Sequence, residues 1–599
     1  MDDKMTWISF AVIFAVNFII GLTVWFGDGI IELVGIILFA IMLFVTAALS
    51  FVYITDSNWL QPIILGIEFV WMFWTVGPLF HDLIMFFYLR PVIIEVLIIS
   101  LIFGVIAYFV FGTSTSEKGF ASLAIFGISV IGLLIIFSVF GSYWQCNIAE
   151  NYDVSEIFEL PEMDEDYLRV TPKVVAYRYM SDACQYPRHQ PNFPSDLVMI
   201  DNKPYWSSLL TPDGIINVYN IKPVGSVYVD MTDMDKSLDI KEHSFKYAPG
   251  LAIKDDINFQ LYLEKYFITV ERALVIPFEN DVYIAKPYVE YEFKFTFPVW
   301  YTVPVWGGTF LVHEDGTIED LSPEESRNHP VLQNQKLFPE FLVDIYVDSQ
   351  NYWKVNEGDS YFGALMNVWI SHENQIEITD VRSQGNKQPF LINTVDGLKW
   401  TVSVEPYGSA HGVYRIYLID ARTGEMEFMK FTGEEIGPVR ACDYARKDNP
   451  KVDWDRFRVI EPIPVIPNGN LFWEVAVTAY DGSGISYIAF VNPLTGAVTQ
   501  CDNNAQVLDF IHNANYIESN DTVDNTIEGN ISRIETYTYD GNTYWIIKFE
   551  NSSYDPLDSY IASALDLTVG DISILVLAEP GNYVKLEVYG NRVSDVIPV

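Results

Sequence analysis

Long apolar runs dominate the first 145 residues of the chain, and charged residues interrupt them only at intervals. A run of about 20 apolar residues matches the hydrocarbon core of a bilayer, which is about 30 Å thick. The region holds three basic and nine acidic residues. The pattern therefore predicts a transmembrane helical domain over residues 1–145. About five spans are expected, near residues 6–26, 30–54, 59–80, 91–112 and 120–143.

Beyond residue 171 the pattern changes to short runs in which β-branched and aromatic residues alternate with polar ones. Such runs, bounded by Gly, Asn and Asp, are typical of β-hairpins. A hairpin with a helix is the smallest unit that can bury one face of a sheet. We therefore expect four α+β units, each with an antiparallel hairpin and a helix. Helix starts with capping-box spacing are SPEE at 322–325, TGEE at 432–435 and NNAQ at 503–506.

The end of the chain has a different pattern, with five or so short strands in residues 521–599. This spacing predicts a small closed β-barrel of the OB type. The predicted fold class is therefore multidomain, with an N-terminal α-helical transmembrane bundle, α+β antiparallel sheet/helix repeats and an OB-like barrel. The expected boundaries are 1–145 for the transmembrane domain, 146–171 for an acidic linker, 172–345 and 346–520 for two pairs of units, and 521–599 for the barrel.

Two of the hairpins contain the same turn, written DARTG at 420–424 and NPLTG at 492–496. The Asp or Asn side chain can accept a hydrogen bond from the backbone two residues on, and Gly can adopt positive φ, so the chain reverses at little cost. Because the second copy has an amide in place of the acid, the turn is interpreted as architecture. Its residues are Asp420, Thr423 and Gly424 in one copy and Asn492, Thr495 and Gly496 in the other.

These repeated units resemble a known hairpin. GVYRIYLIDARTGEMEF and GISYIAFVNPLTGAVTQ are similar to the PepSY-like hairpin, whose second strand runs into a D-x-x-T-G turn. Over roughly residues 195–599, NKPYW, TGEEIGPVRACDYA and PIPVIPNGNLFWEVAV resemble an uncharacterised group of prokaryotic and mobile-element membrane-anchored proteins with an OB-like C-terminal barrel. That group carries no known activity. The resemblance implies an extracytoplasmic interaction module.

The net negative charge of the chain limits the classes of molecule that it is expected to bind. The formal net charge is -42, of which residues 1–145 contribute -6 and the remainder -36. A domain this acidic repels nucleic acid, which is therefore not an expected partner. Lys4 and Lys118 lie on one side of the predicted five-span bundle and Arg90 on the other, which favours a cytoplasmic N-terminus and an extracytoplasmic C-terminal domain.

The sequence lacks the common catalytic signatures, including HExxH, GxSxG, GxxxxGK and CxxC. No catalytic or cofactor-binding residue is predicted. Asp230, Asp233 and Asp235 could offer oxygens to Ca²⁺, although their spacing is not that of an EF-hand and a solvated turn explains them as well. Cys442 and Cys501 could form a disulfide between neighbouring repeats, and buried free thiols are the alternative.

Two carboxylates fall inside predicted spans, Glu68 in the third and Glu95 in the fourth. A carboxylate in hydrocarbon is costly unless it is protonated or paired. Each is therefore a group for structural hydrogen bonding or helix association, part of a transport pathway, or a contact for a membrane partner. The favoured function is a non-catalytic, membrane-anchored extracytoplasmic interaction or scaffold protein, with the lipid bilayer and a protein partner or second copy as partners. The alternative is a transport or channel-type protein with a regulatory ectodomain.

Overall fold

The computed structural model describes thirteen stretches of the chain. They are residues 77–111, 114–164, 168–193, 196–352, 375–381, 387–408, 412–431, 435–513, 525–539, 542–550, 559–563, 569–589 and 592–597. Two compact units are present, Met1–Ala514 and Asn515–Val599. Each unit is described by itself.

The first described part of the larger unit is helical. A 3₁₀ turn at Gly77–Phe80 leads into helices α1 His81–Tyr88, α2 Pro91–Val110, α3 Thr115–Ser138 and α4 Tyr143–Asn151. Pro91 begins α2, and Ser114 with Glu117 forms a capping box at the start of α3. Two stretches, Pro91–Val110 and Glu117–Asn151, are long and apolar enough to cross a membrane. By length and composition they are compatible with a membrane anchor.

Four sheets follow. Sheet 1 has β2 His189–Pro191, β3 Asp196–Ile200, β4 Lys203–Pro212, β5 Gly225–Asp230 and β6 Leu238–Glu242; sheet 2 has β7 Thr269–Val270, β8 Leu274–Phe278, β9 Asp281–Thr296, β10 Val299–Val312 and β11 Ile318–Leu321. Sheet 3 has β1 Val154–Ile157, β12 Ile376–Ile378, β13 Phe390–Thr394, β14 Gly397–Pro406, β15 Arg415–Asp420 and β16 Met426–Lys430; sheet 4 has β17 Phe457–Val465, β18 Phe472–Ala479, β19 Ile485–Val491 and β20 Val498–Cys501.

Shorter helices connect and cover these sheets. They are α5 Lys173–Ala183, α6 Asn217–Asn220, α7 Ile257–Glu264, α8 Pro323–Asn328, α9 Glu340–Ser349, α10 Pro438–Asp448 and α11 Asn504–Asn513. Further 3₁₀ turns occur at Ile253–Asp255, Pro330–Leu332, Gln350–Tyr352 and Pro467–Gly469. Ser322 and Glu325 form the expected capping box of α8. The start expected at Thr432 lies outside the described residues.

The predicted fold class is wrong. The described residues contain two stretches able to span a membrane, where about five spans were expected; the spans near 6–26 and 30–54, and most of 59–80, lie beyond the described part. The remainder is dominated by sheets that pack on one another, and it does not consist of separate α+β hairpin/helix units.

Strand β15 gives the physical reason for this difference. Ile416 and Leu418 belong to the core shared with sheet 4 and α10, whereas Tyr417 and Ile419 belong to a core shared with sheets 1 and 2. Both faces of sheet 3 are therefore buried by other sheets and helices. The expected unit, in which one helix covers one face of a hairpin, does not describe this sheet.

The expected linker at 146–171 also takes part in the fold. Its first residues belong to α4, and β1 pairs in parallel with β16, in a register that places Val154 opposite Met426 and Ile157 opposite Met429. The segment therefore joins the membrane-compatible helices to sheet 3 through strand hydrogen bonds.

The repeated turns have matching geometry. Asp420 Oδ1 accepts from the backbone N–H groups of Arg422 and Thr423, each at 2.8 Å. In the second copy, Asn492 Oδ1 accepts from the N–H groups of Leu494 at 2.9 Å and Thr495 at 3.1 Å. Gly424 and Gly496 both have positive φ, +84° and +68°. The side-chain oxygen thus closes the turn in both copies, whether it comes from an acid or an amide.

The smaller unit contains a closed five-stranded barrel. Its strand order is β21-β22-β23-β25-β24, and α12 lies between β23 and β24 in the chain. The elements are β21 Asn525–Tyr539, β22 Asn542–Phe549, β23 Tyr560–Ser563, α12 Val569–Leu577, β24 Tyr583–Tyr589 and β25 Arg592–Ile597. Its core includes Trp545, Ile547 and Leu586.

Candidate functional site

A small pocket lies where residues from sheets 1 and 3 meet α5, α9 and the β7–β8 connection. Its volume is about 30 Å³, which is room for about two water molecules or one small anion. The lining contains five basic residues and two acidic ones, in a chain whose net charge is -42. The lining residues are Arg169, Lys173, Asp196, Leu197, Trp206, Arg272, Lys336, Glu340, Lys387, Pro389, Leu391 and Trp400. We call this the cationic pocket.

Four of the five basic side chains are paired with carboxylates, Arg169 with Glu461 and three others as follows. Lys336 Nζ lies 2.5 Å from Asp196 Oδ1, and both side chains are less than a tenth exposed. Arg272 Nη1 lies 3.4 Å from Glu340 Oε2. Lys387 Nζ lies 3.1 Å from Asp344 Oδ2. These pairs neutralise part of the cationic pocket.

Lys173 is the cation that lacks such a partner. Its Nζ lies 5.7 Å from the centre of the Trp206 ring, and no carboxylate is within ion-pairing distance of it among the described residues. Burial lowers the pKa of Lys173 to about 8, although Asp196 acts in the opposite direction. A desolvated ammonium over an aromatic face gains free energy when an anion approaches it.

Arg169 supplies a second donor. Its guanidinium is 8% exposed, lies 4.9 Å from the Trp206 ring centre, and forms an ion pair through Nη2 with Glu461 Oε2. Its buried Nε–H has no hydrogen-bond acceptor within the described part of the chain. A buried donor without an acceptor costs about 1–3 kcal/mol, so this atom favours an acceptor in the cationic pocket.

Two buried glutamates of sheet 4, Glu461 and Glu474, lie near Arg169. Glu461 Oε1 also accepts from the backbone N–H of Lys173 at 3.0 Å. Glu474 is 3% exposed, and its Oε2 has no hydrogen-bond partner among the residues described. Burial raises the pKa of Glu474 to about 8; Arg169 opposes this effect and Glu461 adds to it. Burial therefore favours the protonated form of Glu474, and Glu461 is the side chain that pairs with Arg169.

Glu474→Gln should remove a pH dependence of stability. Burial raises the pKa of Glu474 to about 8 in the folded state, from the ordinary value of 4.5. The folded state therefore favours the protonated side chain, and the stability that this preference contributes is fully present below pH 4.5 and is lost as pH rises through 8. At pH 8 we expect Glu474→Gln to be more stable than the wild type, by on the order of 2–4 kcal/mol. Thermal unfolding in detergent at pH 5 to 8 measures the difference. Asp182→Asn, at an exposed site, is the control. Parallel curves for Glu474→Gln and the wild type would contradict the assignment.

Two of the three aspartates considered for Ca²⁺ make contacts within the protein. Asp230 pairs with Lys203 at 2.5 Å and accepts from the backbone N–H of Thr232 at 2.9 Å. Asp233 accepts from the side chain of Asn504 at 2.8 Å and from the backbone N–H of Asp235 at 3.0 Å. In the described ranges, no group of three His, Cys, Asp or Glu residues is placed to hold a metal ion.

Glu95 has a structural contact. Its Oε2 accepts from the backbone N–H of Trp300, at the start of β10, at 3.1 Å. Glu68 lies outside the described residues. The cysteines are free, so the Cys442–Cys501 disulfide is not formed and both thiols are buried. Burial raises the pKa of Cys501 to about 11 and raises that of Cys442 further. The structure thus brings none of the predicted site residues together at the cationic pocket.

Sequence reasoning missed the residues that form the cationic pocket, and the two buried glutamates near Arg169, because they are far apart in the chain. Arg169 and Lys173 come from one segment, whereas Glu461 and Glu474 come from two strands of sheet 4. A signal was present, since each glutamate interrupts a strongly apolar strand, in RVIEPIPV and LFWEVAV. Charged residues at such positions are rarely buried unless they are paired.

Comparisons with known proteins give little information about this chain. No family model matches it, and no curated protein matches it. A solved structure with weak similarity is the silkworm (Bombyx mori) GH32 beta-fructofuranosidase, at 10% identity and a TM-score of 0.18, over 71% of this chain and 69% of the other. The PepSY-like resemblance stays a prediction.

Proposed function

We propose that this protein is a non-catalytic, membrane-anchored interaction protein whose larger unit binds a small anion in the cationic pocket. The observation that carries the proposal is the unsatisfied buried Nε–H of Arg169, together with the ammonium of Lys173, which lies over the Trp206 ring. Arg169 and Lys173 lie over the ring of Trp206 in sheet 1 and contact Glu461 in sheet 4. An anion bound by both would therefore stabilise the contact between these two sheets.

The remaining features of the proposal concern location and partners. Two apolar stretches support the anchor, and an extracytoplasmic position of the larger unit is part of the proposal. The acidic surface favours a protein partner or a second copy over nucleic acid. Chemical crosslinking in native membranes tests this part. Repeated recovery of the chain alone would contradict it.

The transport alternative has less support. It depended on Glu68 and Glu95, and the carboxylate of Glu95 accepts a backbone hydrogen bond from Trp300. This contact favours the structural explanation of Glu95, since a carboxylate that satisfies a fixed backbone donor is poorly suited to release and capture an ion.

Lys173→Gln should weaken anion binding at the cationic pocket. Titration of the purified chain with inorganic phosphate, acetate and chloride, followed by thermal unfolding and calorimetry, is expected to show binding of at least one anion by the wild type. Affinity should fall at least tenfold in Lys173→Gln. It should also fall as pH rises from 7 to 9, because the pKa of Lys173 is about 8 and the neutral amine does not attract an anion.

The matched control is Lys222→Gln, at an exposed lysine that is already paired with Asp255. Its anion affinity should equal that of the wild type. Absence of anion binding by the wild type, or an equal loss in both variants, would contradict the proposed site.

A further inference from the structure

A second, larger groove lies at the ends of the membrane-compatible helices. Its volume is about 570 Å³, which is within the usual range of about 300–1,000 Å³ for ligand sites. One wall is formed by the start of α2 and the end of α3, and the other by α9 and the β9–β10 hairpin. We call this the interfacial groove.

The hairpin wall is fixed to the helix. The backbone N–H of Trp300 donates to Glu95 at 3.1 Å, and Thr302 Oγ1 donates to the carbonyl oxygen of Leu89 at 3.2 Å. These bonds hold the start of β10 against the first turns of α2. The interfacial groove is therefore a defined part of the fold and not a gap between independent elements.

The position of the interfacial groove corresponds to the edge of a bilayer. Helix α2 begins at Pro91 and α3 ends at Ser138, and both residues line the groove. The groove is therefore at the end of two apolar helices, where a bilayer would end. Trp144, Tyr301 and Phe137 line the groove. Aromatic side chains, Trp and Tyr especially, are enriched at the level of lipid headgroups.

The rim of the interfacial groove exposes further aromatic surface. Phe295 is 50% exposed, Phe297 is 82% exposed and Trp300 is 47% exposed, all near the tip of the β9–β10 hairpin. Exposure of this much apolar surface next to a membrane-compatible helix favours contact with lipid over contact with water.

Charge indicates which lipid fits. Arg90, at the mouth of the interfacial groove, lies with its guanidinium 4.5 Å from the Phe86 ring centre and donates to the Phe86 carbonyl oxygen at 3.5 Å. It has no carboxylate at ion-pairing distance among the described residues. A guanidinium at headgroup level pairs well with phosphate.

We infer that the interfacial groove binds an anionic phospholipid, with its phosphate at Arg90 and an acyl chain between α2, α3 and the hairpin. The phosphate of such a lipid would pair with the guanidinium of Arg90, and its acyl chain would cover the apolar lining of the groove. The competing occupant is the segment of residues 1–76 of the same chain, which also carries apolar runs. The experiment must distinguish the two.

Photo-crosslinking from inside the interfacial groove provides this distinction. A benzophenone amino acid replaces Phe341, which lines the groove from α9, in the full chain reconstituted in nanodiscs with equal anionic and zwitterionic phospholipid. Mass spectrometry should find a phospholipid adduct on the peptide that contains position 341. The same probe at Phe193, an exposed position between β2 and β3, should give none. A crosslink to residues 1–76, or no lipid adduct, would overturn the proposal.

Arg90→Gln tests the headgroup. Native mass spectrometry of the chain released from these nanodiscs should show at least a threefold loss in the ratio of anionic to zwitterionic lipid bound. Lys118→Gln is the matched control, because Lys118 lies in the first turn of α3, and α3 begins at the opposite end from the groove. An unchanged ratio in Arg90→Gln, or an equal loss in both variants, would overturn the role of Arg90.

Discussion

Replacing Glu461 with Ala is expected to lower the free energy of unfolding of the larger unit by about 3–5 kcal/mol, because the buried side chain of Arg169 loses the partner of its ion pair. Glu461 is 3% exposed and also accepts from the backbone N–H of Lys173. It has a φ of +50° beside a bulge of β17, and a non-Gly residue keeps such a conformation only where its surroundings impose it. Urea unfolding followed by circular dichroism measures the loss.

The control for Glu461→Ala is an ion pair at the surface. Arg178 and Asp182 lie 3.2 Å apart on α5, and their side chains are 49% and 45% exposed. Asp182→Ala should cost less than about 1 kcal/mol. If both alanine variants lost the same small amount of stability, the Arg169–Glu461 pair would have no special role in the fold.

Gly424→Ala should be the most disruptive change in either of the repeated turns. A Cβ at residue 424 would lie 2.5 Å from the ring of Phe338, in a backbone with φ of +84°. We expect a loss of about 3 kcal/mol, the sum of steric overlap and conformational strain. Thermal unfolding in detergent and hydrogen exchange of β15 and β16 report it.

Gly397→Ala separates the cost of conformational strain from the cost of steric overlap. Gly397 has φ of +111°, but nothing lies within 4 Å of a Cβ built there. Its replacement should cost about 1 kcal/mol from conformation alone. Asp420→Asn should cost less than either, because Asn492 makes the same two backbone contacts in the other turn. An equal cost for both glycines would mean that Phe338 moves away from residue 424 without penalty.

Local features of the fold could be predicted from the sequence because they depend on nearby residues. The DARTG and NPLTG turns, the Ser322 capping box and the strands near them are set by neighbours within a few positions. The way the sheets combine could not be predicted in this way. The continuous apolar run around Ile416 and Tyr417 is the pattern of a strand buried on both faces, but it does not indicate which distant elements cover each face.

The cationic pocket was missed for a related reason. Lys173 and Glu461 are separated by 288 residues, and only the tertiary fold places the backbone N–H of one against the carboxylate of the other. Local spacing detects sites whose ligands come from one segment. A search for charged residues inside apolar strands would have selected Glu461 and Glu474, although it could not have paired them with Arg169.

The parallel pairing of β1 with β16 has a mechanical consequence. The chain leaves α4 at Asn151 and enters β1 at Val154, so tension that passes along the chain from the membrane-compatible helices reaches sheet 3 within three residues. Because β1 lies along β16 over four paired positions, this tension shears the ladder and is shared among its hydrogen bonds. The larger unit is therefore attached by a stiff tether, and tension is transmitted into its core instead of being absorbed by a slack connection.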